Sequence, residues 1–334
     1  MPNMLLRPRL RGARPGTLDG SLDALGADES QPDIITAAGV RWLHLERPRE
    51  ADRDWLEAEF GFHPLAIEDV ASRNQRPKLD AYDDYLFIVL HFPVFDKASG
   101  RLLTAELDLF VGPDFLITLP DQTLPPLAAM FERYREREEV REGIFSKGTG
   151  YLLYKIVDTI VDASFPMLRK MGAKLDQLED DIFEGRSAKI VEEISNAKQE
   201  IINFRRVVRP MRAVLRDLER TKQRYLQEDL DIYFDDITDA AERIWDVLEN
   251  YKEVAEALED SNESVLSHRL NESLRVLTAF SVAMLPLTLL ASVFGMNVPL
   301  PGQVGSPSEF WVIVALMAAT LLGVLLFFRR RGYL

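Results

Sequence analysis

Neutral oxygen atoms at helical spacing are the first sign of chemistry in this 334-residue chain. Leu274, Thr278, Ser281, Leu285, Thr288 and Ser292 step by three and four, with Asn271 one turn earlier. None of them is ionisable, and all fall on one face of a helix. The run ends at Gly295-Met296-Asn297. The last carbonyls of a helix lack intrahelical partners and carry partial negative charge. Gly295 is expected to adopt the left-handed conformation that lets the chain turn, and Asn297 adds an amide oxygen. A ring of such oxygens can hold a hydrated divalent cation through its waters and still release it. Mg²⁺, which prefers oxygen and dehydrates reluctantly, suits that arrangement. The plainer alternative is that the small polar residues bind one apolar helix to another.

A second set of groups is anionic. Residues 228–263 hold fourteen acids against two bases, most of a net charge of −14. Glu242, Asp246, Glu249, Glu253 and Glu256 share one helical face, and Ile244, Leu248, Tyr251, Ala255 and Leu258 share another that should pack. An acidic stripe concentrates and steers cations, or it is simply a solvated face. Arg205, Arg206, Arg209, Arg212, Arg216 and Arg220, on the preceding helix, offer the stripe a structural partner.

These groups need particular elements to position them. Residues 276–294 and 310–328 are uncharged runs of nineteen, each rising roughly 28 Å as a helix, about the thickness of a bilayer core. The link between them is too short to be a domain, so they form an antiparallel hairpin. It carries no Lys or Arg, whereas Arg269 and Arg275 precede the first run and Arg329, Arg330 and Arg331 follow the second. The positive-inside rule then places both termini in the cytoplasm of a cell-membrane protein. Two spans cannot enclose a pore, so a pore requires several copies.

Upstream, no Pro or Gly interrupts residues 230–284, which reads as a stalk helix (230–275) running straight into the first span (276–297). An outer loop (298–309), the second span (310–328) and a basic tail (329–334) complete the C-terminal part. Residues 34–123 read as a cytoplasmic domain of mixed α and β structure. Its expected strands are Trp42–Leu45, Tyr85–His91 and a hairpin over Leu107–Leu119 turning at Gly112-Pro113-Asp114. Its expected helices are Asp52–Phe60 and Pro64–Ser72. Residues 124–229 read as helical, with long helices over Tyr151–Phe183 and Ala188–Gln223. Residues 1–33 contain Arg7, Arg9, Arg11 and Arg14 without an apolar core, and read as a loose tail rather than a signal peptide.

The composition excludes several classes. There are no cysteines, hence no disulfide framework, Cys nucleophile or Cys-ligated metal. The acidic balance argues against a nucleic-acid partner. No Walker A run, zinc-hydrolase motif or Gly-x-Ser-x-Gly is present, so an enzyme is not expected.

The Gly295-Met296-Asn297 ending, the run NESLRVLTAFSVAMLPLT (Asn271–Thr288) and the run GFHPLAIEDVASRNQRPKLDAYDDYLFIVL (Gly61–Leu90) resemble the CorA family of divalent-cation transporters over roughly residues 40–334. The resemblance implies an α+β cytoplasmic domain, a long-helix stalk and two C-terminal transmembrane helices, assembled as a funnel-shaped homopentamer. It implies passage of Mg²⁺, and often Co²⁺ or Ni²⁺, down the electrochemical gradient with no organic cofactor. Asn297 would be the selectivity ring, with Gly295 and Met296 as its scaffold. Asn271 would form a polar ring near the cytoplasmic end, Leu274 and Leu277 a hydrophobic constriction, and Leu285 and Thr288 positions further out. Asp260 matches a carboxylate ring at the pore entrance and Arg329–Arg331 a basic collar. Asp69 and Asp236 match a pair that binds regulatory Mg²⁺ between subunits, with Glu68 and Asp235 beside them. His63 is expected to cap or pack rather than ligate. Phe294 stands where many members have Tyr, and Glu309 is the one acid of the outer loop. These departures bring the ZntB-like zinc-transporting branch close. The four histidines show no paired ligand spacing that would favour zinc. A membrane-anchored sensor or scaffold that conducts nothing is the alternative of another class.

Overall fold

The computed structural model describes residues 32–72, 75–96, 100–184, 189–221, 229–296 and 307–331, the side chains of 307–309 excepted. Residues 1–31 of the N-terminal tail, Asn297, residues 298–306 of the outer loop and residues 332–334 of the basic tail lie outside the described residues, and the expected outer loop is shorter by 307–309, which open the last helix. Two compact units are formed, one within 1–173 and 197–252, the other within 174–196 and 253–334.

The first unit is built on a six-stranded sheet. Its strands are β1 (Asp33–Ala37), β2 (Val40–His44), β3 (Lys78–Ala81), β4 (Leu86–Asp96), β5 (Arg101–Val111) and β6 (Phe115–Pro120), in spatial order β1-β2-β6-β5-β4-β3. All neighbours are antiparallel except β2 and β6. The hairpin expected at Gly112-Pro113-Asp114 joins β5 to β6. The edge strands β1 and β3 were not expected from the sequence: each is short, and the apolar face of β3 (KLDA) is only Leu79 and Ala81.

Helices α1 (Glu50–Phe60) and α2 (Pro64–Ala71) cover one face of the sheet. Leu56, Phe62, Ala66 and Val70 pack there on Phe87, Val89, Phe110 and Leu119. Gly61 takes φ 66° to end α1 while its N–H donates to the Glu57 carbonyl, a geometry that glycine adopts without steric cost. On the other face, Phe131 and Tyr134 of α3 (Pro125–Glu136) pack edge-on against buried Trp42, with ring centroids 4.8 and 5.9 Å away. A short helix, α4 (Glu138–Phe145), follows.

The helix expected over Tyr151–Phe183 is two helices, α5 (Thr149–Asp162) and α6 (Ser164–Glu184), broken at Ala163. Pro166 has no N–H to give the Asp162 carbonyl, which accounts for a break at this point. Then come α7 (Ile190–Thr221) and α8 (Asp231–Phe294), a continuous helix of 64 residues. The apolar seam read from the sequence is present: Ile244, Leu248 and Ala255 are fully buried, Leu258 nearly so, and Tyr251 half-buried. A Cβ at Gly172 would collide with the Tyr251 hydroxyl, so glycine lets α6 approach α8 at this level. The last helix is α9 (Pro307–Arg330).

Candidate pore helix and cation-binding carboxylates

Within α8 and α9, two stretches are long and apolar enough to cross a membrane, and almost none of either is buried by the chain itself. What is covered forms one stripe on each helix: Ala279, Ala283, Pro286, Leu287 and Leu290 on α8, and Ile313, Met317, Thr320, Leu321, Val324 and Phe328 on α9. Both stripes repeat at three and four residues, and small alanines on the α8 stripe allow close packing. Asn271, Leu274, Leu277, Thr278, Ser281, Leu285, Thr288 and Ser292 are all exposed. At about 100° per residue, this polar stripe lies roughly 160° around the helix from the covered one. Packing inside one chain therefore does not use it.

The hydroxyls on this stripe turn inward on their own helix. Thr278 Oγ1 donates to the Leu274 carbonyl at 2.7 Å, Ser281 Oγ to Leu277 at 2.9 Å and Thr288 Oγ1 to Met284 at 2.9 Å. Thr320 on α9 does the same, so the habit belongs to apolar surroundings in general.

The helix end differs from the sequence expectation. Gly295 is not left-handed; the positive-φ glycines among the described residues are Gly39, Gly61, Gly100 and Gly148. Its N–H continues the helical pattern to the Ala291 carbonyl at 2.9 Å. A Cβ there would sit 2.8 Å from that carbonyl oxygen, so glycine is required for space, not for handedness. Met296 is exposed. At the far end of α9, Arg329 and Arg330 occupy the last helical turn, where cations oppose the helix dipole, and Arg331 lies 5.7 Å over the Phe327 ring.

Asp69 sits in the last turn of α2, with Glu68 exposed beside it. Its carboxylate is engaged: Lys78 Nζ donates to Asp69 Oδ2 at 2.6 Å and pairs with Asp80 Oδ2, also at 2.6 Å. Burial alone would lower the Lys78 pKa; the hydrogen bonds to Asp69 and Asp80 outweigh it and raise it. Leu65, Glu68, Asp69, Lys78, Asp80, Ala81 and Tyr82 line an open groove of about 570 Å³. His63 caps α2, its Nδ1 accepting the Leu65 N–H at 3.2 Å, as expected.

Asp235 and Asp236 are exposed in the first turns of α8. Asp236 shares its surroundings with Asp158 and Asp162 of α5: the Asp162 pKa is raised first by burial, then by the charges of Asp158 and Asp236. Among the described residues, no three carboxylate or imidazole side chains converge to hold a metal ion. The carboxylate oxygens of Asp69 and Asp236 are the donor type a hard divalent cation prefers, and at Asp69 the ammonium of Lys78 already occupies one of them.

The acidic stripe on α8 is partly spent. Glu242 pairs with Arg212 and with Arg216 (2.6 Å), and Glu249 pairs with Arg205 at 2.5 Å. Trp245 lies between Arg205 and Arg212, each guanidinium under 5 Å from a ring centroid. The structural reading holds for these two acids. Asp260, further along α8, is exposed.

One acid escaped sequence reasoning. Asp108, on β5, is almost fully buried under α2, and its Oδ1 has no hydrogen-bond partner. Burial raises its pKa well above the ordinary carboxylate value, with Glu106, Asp121 and Asp69 adding to the effect and Lys78 opposing it. Lys78 and Asp80 were also missed as contacts, although both lie inside the motif that contains Asp69.

A helix bearing an unclaimed polar stripe, ending in Gly-Met and followed by a second apolar helix, has the form of a hairpin of two membrane spans. Residues 37–330 match the family model described as CorA-like Mg²⁺ transporter protein. The chain belongs to the CorA family of divalent-cation transporters. It is 32% identical to the Bacillus subtilis protein YfjQ, over 91% of each chain. It is 28% identical to the cobalt/magnesium transport protein CorA of Thermotoga maritima, over 92% of this chain and 85% of that one. It is 21% identical to the zinc transport protein ZntB of Yersinia pseudotuberculosis, over 94% and 93%. The solved structure of the CorA magnesium transporter from Methanocaldococcus jannaschii shares the fold, with a TM-score of 0.75, 20% identity, and 88% and 92% of the two chains covered.

Proposed function

We propose that several copies of this chain, five by family resemblance, form a pore in the cell membrane that admits Mg²⁺, and that cytoplasmic Mg²⁺ gates it. The observation that carries this reading is the polar stripe of α8, exposed on the face opposite the intrachain packing. The eight side chains of this stripe face away from the packing of the single chain, and a ring of copies gives that face a purpose. Asn297 forms the outer ring, with Gly295 and Met296 supporting it. Asn271, Leu274, Leu277, Ser281, Leu285, Thr288 and Ser292 line the path, Asp260 stands at its entrance and Arg329–Arg331 collar it from the cytoplasmic side. Both termini are cytoplasmic. Asp69 and Asp236, helped by Glu68 and Asp235, hold regulatory Mg²⁺ between neighbouring copies, and loss of the ion loosens the assembly. Co²⁺ and Ni²⁺ fit the same oxygen-lined path.

Zinc is the second reading. It rests on Phe294 and on an outer loop whose one acid is Glu309, together with the relationship to ZntB. Ion uptake into proteoliposomes decides between them, with Mg²⁺, Co²⁺ and Zn²⁺ run in parallel on the full chain and on Asn297→Ala. Mg²⁺ entry that disappears in the variant is the expected result. Zn²⁺ entry without Mg²⁺ entry would favour the zinc branch. No flux of any ion, from an intact oligomer with low internal Mg²⁺, would leave a sensor or scaffold.

A further inference from the structure

Lys78 holds an unusual position for a residue beside a cation-binding carboxylate. It opens the edge strand β3, which pairs on one side only, with β4. Its ammonium bridges Asp69 of α2 and Asp80 of its own strand at 2.6 Å each, and lies 5.5 Å above the Phe87 ring. The groove around it opens outward past Glu68 and Tyr82. A cation approaching the Asp69 carboxylate therefore finds that oxygen already donated to.

We infer that Lys78 is a built-in competitor for the divalent cation at Asp69, and that it sets the concentration at which that cation binds. This inference rests on the reading of Asp69 as a regulatory ligand. Two features of the geometry make the exchange cheap. The ammonium has a second acceptor, so it can release Asp69 to an arriving ion and stay paired with Asp80. The Phe87 face below it stabilises positive charge in either position. When the ion leaves, Lys78 returns, and Asp69 is not left as an uncompensated charge. The metal-free state is thereby stabilised, and more Mg²⁺ is needed to displace it. Asp80 acts as the parking place for the ammonium rather than as a ligand.

The test is the Mg²⁺ concentration that half-protects the purified full-length protein from limited proteolysis, with the Mg²⁺ dependence of its melting temperature as a second readout. Lys78→Met keeps the apolar stem over Phe87 and removes the charge; Lys78→Gln is the reserve variant should Met fold poorly. Either one should lower the half-protecting concentration about threefold or more, the scale of a partly exposed ion pair. Arg76→Met removes an equal charge from an exposed neighbouring site and should leave the midpoint in place. Asp80→Asn should raise the midpoint, because Lys78 is then held on Asp69. The double variant Lys78→Met with Asp80→Asn should match Lys78→Met alone. A Lys78→Met midpoint equal to that of the unaltered chain, while Asp69→Asn still shifts it, would refute the competitor and leave the regulatory site standing. An Asp69→Asn variant with unaltered Mg²⁺ dependence would remove the site and the inference together.

Discussion

The sheet with α1 and α2, and the apolar halves of α8 and α9, treat their surfaces in opposite ways. In the first, Phe62, Phe87 and Phe110 are sealed within one chain, and even the edge strand β3 is tied down by Lys78. In the second, Leu274, Leu277, Leu285, Phe310 and Trp311 are half to two-thirds exposed, and a single stripe on each helix is covered. The first region is finished as one polypeptide. The second leaves most of its apolar surface uncovered by its own chain, the condition of a helix whose surroundings are lipid rather than water.

The contrast can be broken at four points. The largest effect is expected from Phe110→Ala, which opens a cavity in the sealed region and should cost about 3–5 kcal/mol in chemical unfolding. Next is a paired test on α8. Ala283→Leu overpacks the covered face and should cost about 1–3 kcal/mol, whereas Leu285→Ala, on the bare face, should leave the melting of the single chain almost unmoved. Equal losses at both positions would show that the bare face is not bare.

Asp108→Asn sharpens the comparison from the other side, since it alters an acid that is sealed, like Glu106, in the first region. Its folded-state pKa is raised above the ordinary 3.8, so the fold keeps a proton that the unfolded chain releases. Stability therefore falls as pH rises from about 4 toward the folded pKa. The asparagine variant should melt higher than the unaltered chain at neutral pH, by about 1–2 kcal/mol, and the gap should close below pH 4. The smallest effect is expected from Arg216→Ala, which removes a half-exposed pair to Glu242 and should cost about 0.2–1 kcal/mol, less in high salt.

Local signals made much of this legible before the structure. The two spans, the unbroken α8 and the His63 cap all rest on neighbours within a few turns of helix. The polar stripe was legible as a pattern, yet its meaning depended on knowing which face α8 packs, a fact about non-local contacts. Asp108 could not be read as buried, because the lid over it is α2, some forty residues earlier in the chain. The pairing of Lys78 with Asp69 likewise exists only once β3 joins the sheet edge beside α2. Gly295 illustrates a different failure: glycine at a helix end suggested handedness, and the true constraint is the room left by the Ala291 carbonyl.

The inward-turned hydroxyls of Thr278, Ser281 and Thr288 have a consequence for what can lie against them. Each has given its hydrogen to a backbone oxygen and keeps only lone pairs for a visitor. Water around a cation points its hydrogens outward, and such a shell can donate to this wall. Water around chloride keeps one hydrogen for the ion and has only the other to give. A face that accepts hydrogen bonds and offers none would therefore suit the shell of a cation better than that of an anion.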